Sequence, residues 1–376
     1  MENSILKEFN KKDVEAYLRV LDYLQDFTFW KLFPWKPSAT FSYETISGTR
    51  GIPVVGDIVA YNSSAPLKSR KVISKLKGDI PSIRVKRLMN EKDMNELITF
   101  RAMGTSEGHK AILRMIYDDV DFAILACLGR LEWITYQALS NLTISLTASN
   151  NGDGIVTEHA IDFGMPAANK RCIESSTATR KWGTGTADQI FPITDIQAVV
   201  KAGKALGLRF KKILMNDTQF AQFISASQVI NLCAPYMGFG NLHTASFAPT
   251  PTLEAINAFL RSQSLPIIEV IDRQVIVEDG DFSQTTLDVW TDNYLTFVPG
   301  EQVGNMFHAP MAEEMFGLNG RGVQVKKDNV LVTKYSDVDP LREFTKGEIN
   351  AFPSWDTVDY CMRLNVAKNE ADGLDD

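Results

Sequence analysis

From His109 to Asn141 the chain runs without a proline and with a single glycine, Gly129. Ile116, Val120, Ala123, Cys127, Leu131, Ile134 and Ala138 fall along it at intervals of four and three. That spacing places one apolar stripe on one face of a helix. At roughly 1.5 Å per residue the helix reaches about 50 Å, far beyond an ordinary helix of about 11 residues. A rod of that length cannot hide inside a small core. It must act as a spine on which the remaining elements are laid.

The rest of the chain is sized for such a frame. Its 376 residues allow two or three domains or one large composite. Hydrophobic residues make up 44% and charged residues 23%, the proportions of an ordinary folded protein. Cys127, Cys172, Cys233 and Cys361 are widely separated and form no CxxC pair, so they read as inert thiols of a reducing compartment. The opening MENSILKEFNKKDVEAY is too polar for a signal peptide, and no apolar run approaches the length of a membrane span. The expected setting is cytosol, or a particle assembled there. The net charge of −7 argues against a general DNA binder. One stretch departs from that balance: Lys68, Arg70, Lys71, Lys75, Lys77, Arg84, Lys86 and Arg87 face one acid, Asp79. Such a run is either a solvated face or the complement of an acidic surface on another chain.

Before the spine lie two unusual segments. Val14, Tyr17, Leu18, Leu21 and Leu24 predict a helix over 13–27 with Asp13 as its cap. It leads into FTFWKLFPWKPSATF, where Phe27, Phe29, Trp30, Phe33, Trp35 and Phe41 crowd together and Pro34 and Pro37 favour extended backbone. These rings fold back into the chain's own core or lie on a surface outside it. The next segment, GIPVVGDIVAYNSSAPLKSRK, is apolar but repeatedly interrupted. It predicts a two-stranded excursion with strands near 51–61 and 68–77. An isolated ribbon is marginal in water, and excursions of this length are usually functional, so packing outside its own domain is expected.

After the spine, NLTISLT and GIVTEHAIDFG flank SNNGDG as a hairpin. Residues 190–312 read as a compact α/β subdomain. In it Thr194 and Gln197 stand in capping-box positions, Gly207 suits a helix end and Pro251 a first helical turn. The strands of the tail are expected to rejoin the hairpin at 142–163.

Catalytic chemistry is sought without success. His109, His159, His243 and His308 are scattered, with no metal-ligand spacing among them. KWGTGTADQ lacks the third glycine of a phosphate loop and reads as a turn. In SNNGDGIVTEHA, Asn151, Asp153 and Gly154 match part of a calcium loop, but Ser149 and Ala160 replace its essential acids. No paired carboxylates for acid–base work are identifiable. The chain reads as no enzyme, with no cofactor and no metal.

The order of these pieces is what identifies a relative. FTFWKLFPWKPSATF, the interrupted ribbon, the 109–141 spine, HAIDFGMP, KWGTGTADQIFPITDIQAVVKAGKALGLRFKKILMND, NYLTFVPGEQVGNMFHAP and VDPLREFTKGEINAFPSWD follow one another across nearly the whole chain. This series resembles the major capsid proteins of tailed bacteriophages, the lambda-type protein E family with the Hong Kong-97-type shell fold. The resemblance implies an α+β fold with an N-terminal arm (1–45), an E-loop ribbon (46–87), a peripheral domain in two parts (88–189, holding the spine, and 313–376) and an inserted α/β axial domain (190–312). It implies a head protein that assembles into homo-pentamers and homo-hexamers of an icosahedral or prolate shell around double-stranded DNA. Its expected partners are itself, a portal, a scaffolding protein and a decoration protein, with no membrane and no sequence-specific DNA contact. The virion capsid is its expected location, after assembly in the host bacterial cytoplasm. A built-in scaffold is not expected, because the sequence starts almost at the arm helix.

The resemblance also implies which residues touch a neighbour: Trp30, Phe33 and Trp35 of the arm, and Val54, Val55, Ile58, Val59, Tyr61, Lys68, Arg70 and Lys71 of the ribbon. The basic run is expected to meet acids such as Asp118, Asp119 and Asp121 on the next subunit's spine. Other readings are an encapsulin-like bacterial compartment, which would hold protein instead of a genome, an α/β enzyme built on 190–312, and a tail or baseplate component.

Overall fold

A computed structural model describes residues 11–48, 73–102, 106–151, 160–238, 250–278, 282–317, 322–339 and 341–372. Helices α1 (Lys11–Val20) and α2 (Phe29–Leu32) lead into strands β1 (Trp35–Pro37) and β2 (Ser42–Gly48). Strands β3 (Ile73–Asp79) and β4 (Ser82–Met89) and helices α3 (Glu91–Ala102) and α4 (Ser106–Asn141) follow. Next come β5 (Thr143–Ser145), α5 (Ala148–Asn151), β6 (Ala160–Asp162), β7 (Lys170–Ile173), α6 (Pro192–Ala205), β8 (Lys212–Asn216), α7 (Asp217–Ser225), α8 (Ser227–Cys233) and α9 (Leu253–Ser262). Strands β9 (Ile267–Ile271), β10 (Gln274–Glu278), β11 (Gln284–Asp288), β12 (Tyr294–Val298) and β13 (Asn305–Ala309) precede α10 (Ala312–Phe316). The chain ends in β14 (Val323–Lys327), β15 (Val330–Val338), β16 (Leu341–Ser354) and β17 (Met362–Asn369). The described residues divide into two compact units, one within Met1–Tyr43, Lys77–Ile134 and Asn305–Ser354, the other within Glu44–Leu76, Thr135–Gly304 and Trp355–Asp376.

The first unit is built on a six-stranded sheet of order β1-β13-β16-β15-β14, with β4 also pairing β16. Asn350 is the register partner of both Ala309 and Ser82, so β13 and β4 occupy opposite edges of β16. β16 is therefore covered along both edges, and twelve of its 14 residues are at least half withdrawn from solvent. The spine begins at Ser106, three residues before the expected start, and so takes in Gly108. Ile116, Val120, Ala123, Cys127, Leu131 and Ile134 are all at most 4% exposed in this unit, as the periodicity required. The helix meets β16 at a glycine. A Cβ added at Gly347 would lie 2.5 Å from the Ala123 carbonyl oxygen, so the absence of a side chain allows the contact.

The arm departs from expectation. Instead of staying extended, 29–32 turn once as α2. Trp35–Pro37 then pair in parallel with β13, Trp35 opposite Met306 and Pro37 opposite His308. Pro37 is tolerated because β1 is an edge strand of this sheet. Phe29 and Phe33 are fully buried. Those two rings fold into the chain's own core, because the edge strand brings them back over the sheet that completes it.

The second unit holds a five-stranded sheet of order β7-β17-β12-β8-β9. β8 and β9 are parallel, which requires the crossover supplied by α7, α8 and α9. Its core gathers Ile173, Trp182, Ile196, Val199, Phe223, Val229, Ile256, Phe297, Met362 and Leu364. The sheet is not confined to 190–312. β7 and β17 complete it from either side in sequence, with β17 between β7 and β12. The buried run Met362–Val366 explains this, since only a central strand hides both faces. β13 lies within 190–312 but pairs in the other unit's sheet. β5 and β6 pair with each other, as the hairpin reading anticipated, but α5 follows β5 and the tail strands join other sheets.

Two helix ends also differ from their local signals. The Thr194–Gln197 box does not form, because Pro192 opens α6 and Gln228 reaches in from α8. The Gln228 Oε1 accepts from the Ile193 N–H (3.0 Å), and its Nε2 donates to Thr194 Oγ1 (2.8 Å). Pro251 lies one residue before the cap of α9, where Thr252 Oγ1 accepts from the Ala255 N–H. Gly207 does end α6, at φ +77°, with the Leu208 N–H donating to Gly203 O at 2.8 Å. The KWGTGTADQ segment is a set of turns tied down by Asp195, which accepts from Arg180 Nη2 (2.6 Å) and Trp182 Nε1 (2.9 Å). Burial pushes that carboxyl up to about 6, against the pull of both donors.

Gly347→Ala is expected to destabilise the fold by about 1–3 kcal/mol, because the clash is with backbone and cannot be relieved by a rotamer change. Gly129→Ala, where an added Cβ meets nothing within 4 Å, is expected to leave the melting temperature unchanged or raised. Thermal unfolding of the two variants tests the pair; equal behaviour would remove Gly347 as the contact that sets the helix on the sheet.

Candidate assembly surface

The surface that matters for a chain of this design is where the arm and the ribbon leave the body. The arm up to Tyr43 and the strand β4 belong to the first unit, whereas Glu44–Leu76 is grouped with the second. The arm is fastened to the spine by polar groups aimed at acids on α4. Tyr17 and Tyr23 donate their hydroxyls to the two oxygens of Asp121, at 2.7 and 2.5 Å. Tyr17 also stacks on Tyr117 with ring centroids 4.1 Å apart. Burial, then the bond to Asp121, drives both tyrosines well above the usual phenol range, so they stay protonated donors. About three turns further along α4, the Thr28 hydroxyl and N–H both donate to Glu132, whose own exposure is 1%. A buried carboxylate is costly unless hydrogen-bonded, so Glu132 fixes the arm's register on the spine.

The ribbon's root is equally well defined. β2 and β3 form a separate two-stranded sheet, and the Ile80 N–H donates to Phe41 O (2.8 Å) beneath it. Residues 49–72 lie outside the described residues, so the strands expected at 51–61 and 68–77 are described only from Ile73 onward. After Pro81 the chain enters β4, which pairs with β16 over Ser82–Met89. Side chains reinforce the ladder. Arg84 grips Glu348 at 2.8 and 3.0 Å. Lys346 bridges Glu348 (2.8 Å) and Glu313. Lys86 lies over the Phe344 ring at 4.7 Å, and Arg87 over Phe122 at 3.8 Å. Burial alone would raise the Glu348 carboxyl, but Lys346 and Arg84 outweigh it and hold it below the usual carboxylate range.

These contacts redirect part of the electrostatic expectation. Asp119 is 3.5 Å from Arg87 of its own chain, and Asp121 is taken by the two tyrosines. Each therefore already has a partner within its own chain, supplied by the strand and the arm that the spine supports. Among the expected contact residues, Phe33 is core and Trp35 is half-buried, edge-on to Phe29 and His308. Trp30 remains exposed, with its Nε1 donating to Leu24 O and Phe27 O. Val54, Val55, Ile58, Val59, Tyr61, Lys68, Arg70 and Lys71 fall outside the described residues. The arm-fastening role of Asp121 and the part played by Glu132 were missed by sequence reasoning, although an acid set among apolar helical positions, as at Glu132, is a legible signal. Exposed Met315 and Phe316 on α10 had no signal at all. Among the described residues no three His, Cys, Asp or Glu side chains gather as a metal cage, and no helix is long and apolar enough to cross a membrane.

Comparison with known proteins gives a consistent result. The family model described as phage major capsid protein E matches residues 12–366. No curated protein matches the sequence significantly. Among solved structures, the fold is similar to a prophage capsid protein of E. coli CFT073, at 14% identity over 95% of this chain and 99% of that one, with a TM-score of 0.55. Weaker likeness extends to the cyanophage A-1(L) capsid, at 12% identity over 96% and 99% of the two chains, with a TM-score of 0.47. A phage-related protein of Bordetella bronchiseptica RB50 matches at 12% identity over 95% and 96%, with a TM-score of 0.45. At these identities the likeness speaks for the fold, and the E. coli structure carries that argument.

Replacing both Tyr17 and Tyr23 by Phe is expected to cost about 1–3 kcal/mol and to speed proteolytic cutting within 11–33. Cutting at the wild-type rate would show that Asp121 does not hold the arm. For Glu348, stabilisation is present above the ordinary carboxylate range and is lost as pH falls through its lowered folded value. The stability gap between wild type and Glu348→Gln is therefore expected to close on acidification. A gap that stays constant from neutral to acid pH would exclude the ion pairs as its source.

Proposed function

Because the chain belongs to the phage major capsid protein E family, we propose that it builds its shell by sending the arm and the ribbon onto neighbouring copies. The protein is a phage major capsid protein with the Hong Kong-97-like fold, a structural subunit of the virion shell that assembles from many copies of itself. The single observation that carries the finer reading is the ribbon root: a two-stranded sheet, paired with no other sheet, that runs on into a strand pinned by eight register pairs and two arginines. A projection that rigidly held transmits force and position to whatever it lies on.

In this reading the arm is 1–45, 46–87 is the E-loop, 88–189 with 313–376 is the peripheral domain and 190–312 the axial domain, a division that the two compact units cut across, since Thr135–Gly304 and Trp355–Asp376 fall in one unit. Val54, Val55, Ile58 and Val59 are covered by a neighbour. At about 25 cal/mol per Å2, covering roughly a few hundred Å2 contributes several kcal/mol before association entropy is subtracted. Single contacts of that size can break and re-form while rings of five and six anneal. Lys68, Arg70 and Lys71 orient the ribbon against acids on the next subunit, with Asp118 still exposed for that role. The enclosed cargo is double-stranded DNA, and a net charge of −7 limits sticking as the genome slides past. A portal, a scaffolding protein and a decoration protein complete the particle, which forms in the host cytoplasm.

Deleting residues 50–72 is expected to leave a soluble protein with an unchanged unfolding transition that forms no closed shells by electron microscopy. Unfolding on deletion would place the ribbon in the chain's own core; shells of normal shape would remove it from assembly.

A further inference from the structure

The sheet of the second unit carries opposite charge at its two ends. β8 and β9 run parallel, with Lys212 beside Ile267 and Asn216 beside Ile271. Both strands therefore start at one end and finish at the other, roughly 13 Å away at about 3.3 Å per residue. The starting end also receives the C-terminal turns of α6 and α9 and the turn that joins α6 to β8. Lys201, Lys204, Arg209, Lys211 and Arg261 are exposed there. No acid occurs from Ile196 to Asn216. Among the described residues, none of these five cations pairs with a carboxylate. The acids beside the start of β8, Glu269 and Glu301, are both held by Lys212, at 2.7 and 2.5 Å. Leu206, 40% exposed, adds an apolar surface between Lys204 and Arg209.

The finishing end is the reverse. There β9 runs on into the ribbon of β10 and β11, which joins no other sheet among the described residues. Asp217 opens α7 directly after β8, and Asp292 accepts from Asn216 Nδ2 at 2.5 Å. With Asp272, Glu278 and Asp288 they make five exposed acids against Arg273. The ribbon is firmly built. Five register pairs join its strands. Across them the Gln274 and Gln284 amides donate to Asp288 (2.8 Å) and Glu278 (3.0 Å). These donors are neutral, so both carboxylates keep their charge. At the ribbon's base the Gln137 amide of α4 donates to Val289 O at 3.1 Å. Ile276 and Phe282 stand out from the ribbon, 63% and 79% exposed.

We propose that the acidic β10–β11 ribbon of one copy docks on the basic α6–β8 turn of the next copy, a head-to-tail contact repeated around a ring. This rests on the shell-building function above. The occupant is a second copy because the two patches are complementary in charge while the length of β8 and β9 holds them apart in one chain. Complementary patches at opposite ends of one body give a heterologous contact, which closes into a ring when the rotation per copy allows. Charge also fixes the orientation, since ribbon against ribbon and turn against turn both repel. Leu206 then lies where Ile276 and Phe282 can cover it.

The test uses the full chain and reads the protein concentration at which shells form, by sedimentation and electron microscopy. Lys204→Glu with Arg209→Glu, and Glu278→Lys with Asp288→Lys, are each expected to raise that concentration roughly tenfold or more, because like charges then meet. The chain with all four changes is expected to return to within about threefold of wild type, since opposite charges face each other again. Melting temperatures are expected to stay within about two degrees, because all four residues are exposed. For the wild type, raising salt from about 0.1 M to about 0.5 M is expected to raise the assembly concentration by screening the contact. Assembly of either two-residue variant at the wild-type concentration overturns the proposal. Loss in both without recovery in the four-residue variant also overturns it, and puts another partner on these patches. A wild-type assembly concentration indifferent to salt does the same without any variant. Failure of the wild-type chain to form shells would instead count against the shell-building function.

Discussion

Much in the first unit depends on how closely α4 approaches β16. The contact is set by one missing side chain at Gly347 and by the Ala123 carbonyl it faces. With the helix seated there, β16 has one face occupied and both edges paired, and the other strands take their register from it. Asp119 and Asp121 then stand where Arg87 and the arm tyrosines can reach them. Shift the helix outward, and the polar fastenings of arm and ribbon lengthen together.

Those fastenings share a chemical logic. Glu132 and Glu348 are buried acids, and Lys334, 0% exposed, lies where burial lowers its pKa and Glu343 and Asp119 raise it. Buried ions add little net stability relative to apolar residues of the same shape, yet misplacing one partner is expensive. Here they sit where segments distant in sequence meet: Thr28 with Glu132, Arg84 with Glu348, Lys346 with Glu313. Their work is to reject wrong registers of the arm and of β4, which slippage by one residue would otherwise turn inside out.

What the sequence disclosed follows from range. The spine was legible because its seven stripe residues obey one helical period, and all seven are buried, Ala138 included. The family order was legible because it needs only succession. The arm was misjudged in part: Phe29 and Phe33 reach the core only because β1 pairs with β13, which arrives far downstream, and nothing local announces that partner. Thr194 was misassigned for the same reason, since Gln228 from another helix displaced a plausible local cap. The second unit's sheet draws β7 and β17 from outside the stretch whose local texture looked self-contained. Of the acids that hold the arm, Asp121 was expected to serve a neighbour's basic ribbon, and Glu132 was not singled out.

The antiparallel ladder between β4 and β16 has a mechanical consequence. The ribbon enters β4 at Ser82, and the pairs run from Ser82–Asn350 to Met89–Glu343. Tension along the strand axis loads all eight pairs at once in shear, so they must yield together. Tension across it would peel them one at a time, starting at Ser82–Asn350 and reaching the Arg84–Glu348 clasp two residues on. A strand loaded in this way resists a lengthwise tug far better than a sideways one, and swelling of the container from within is best borne if neighbours pull along β4.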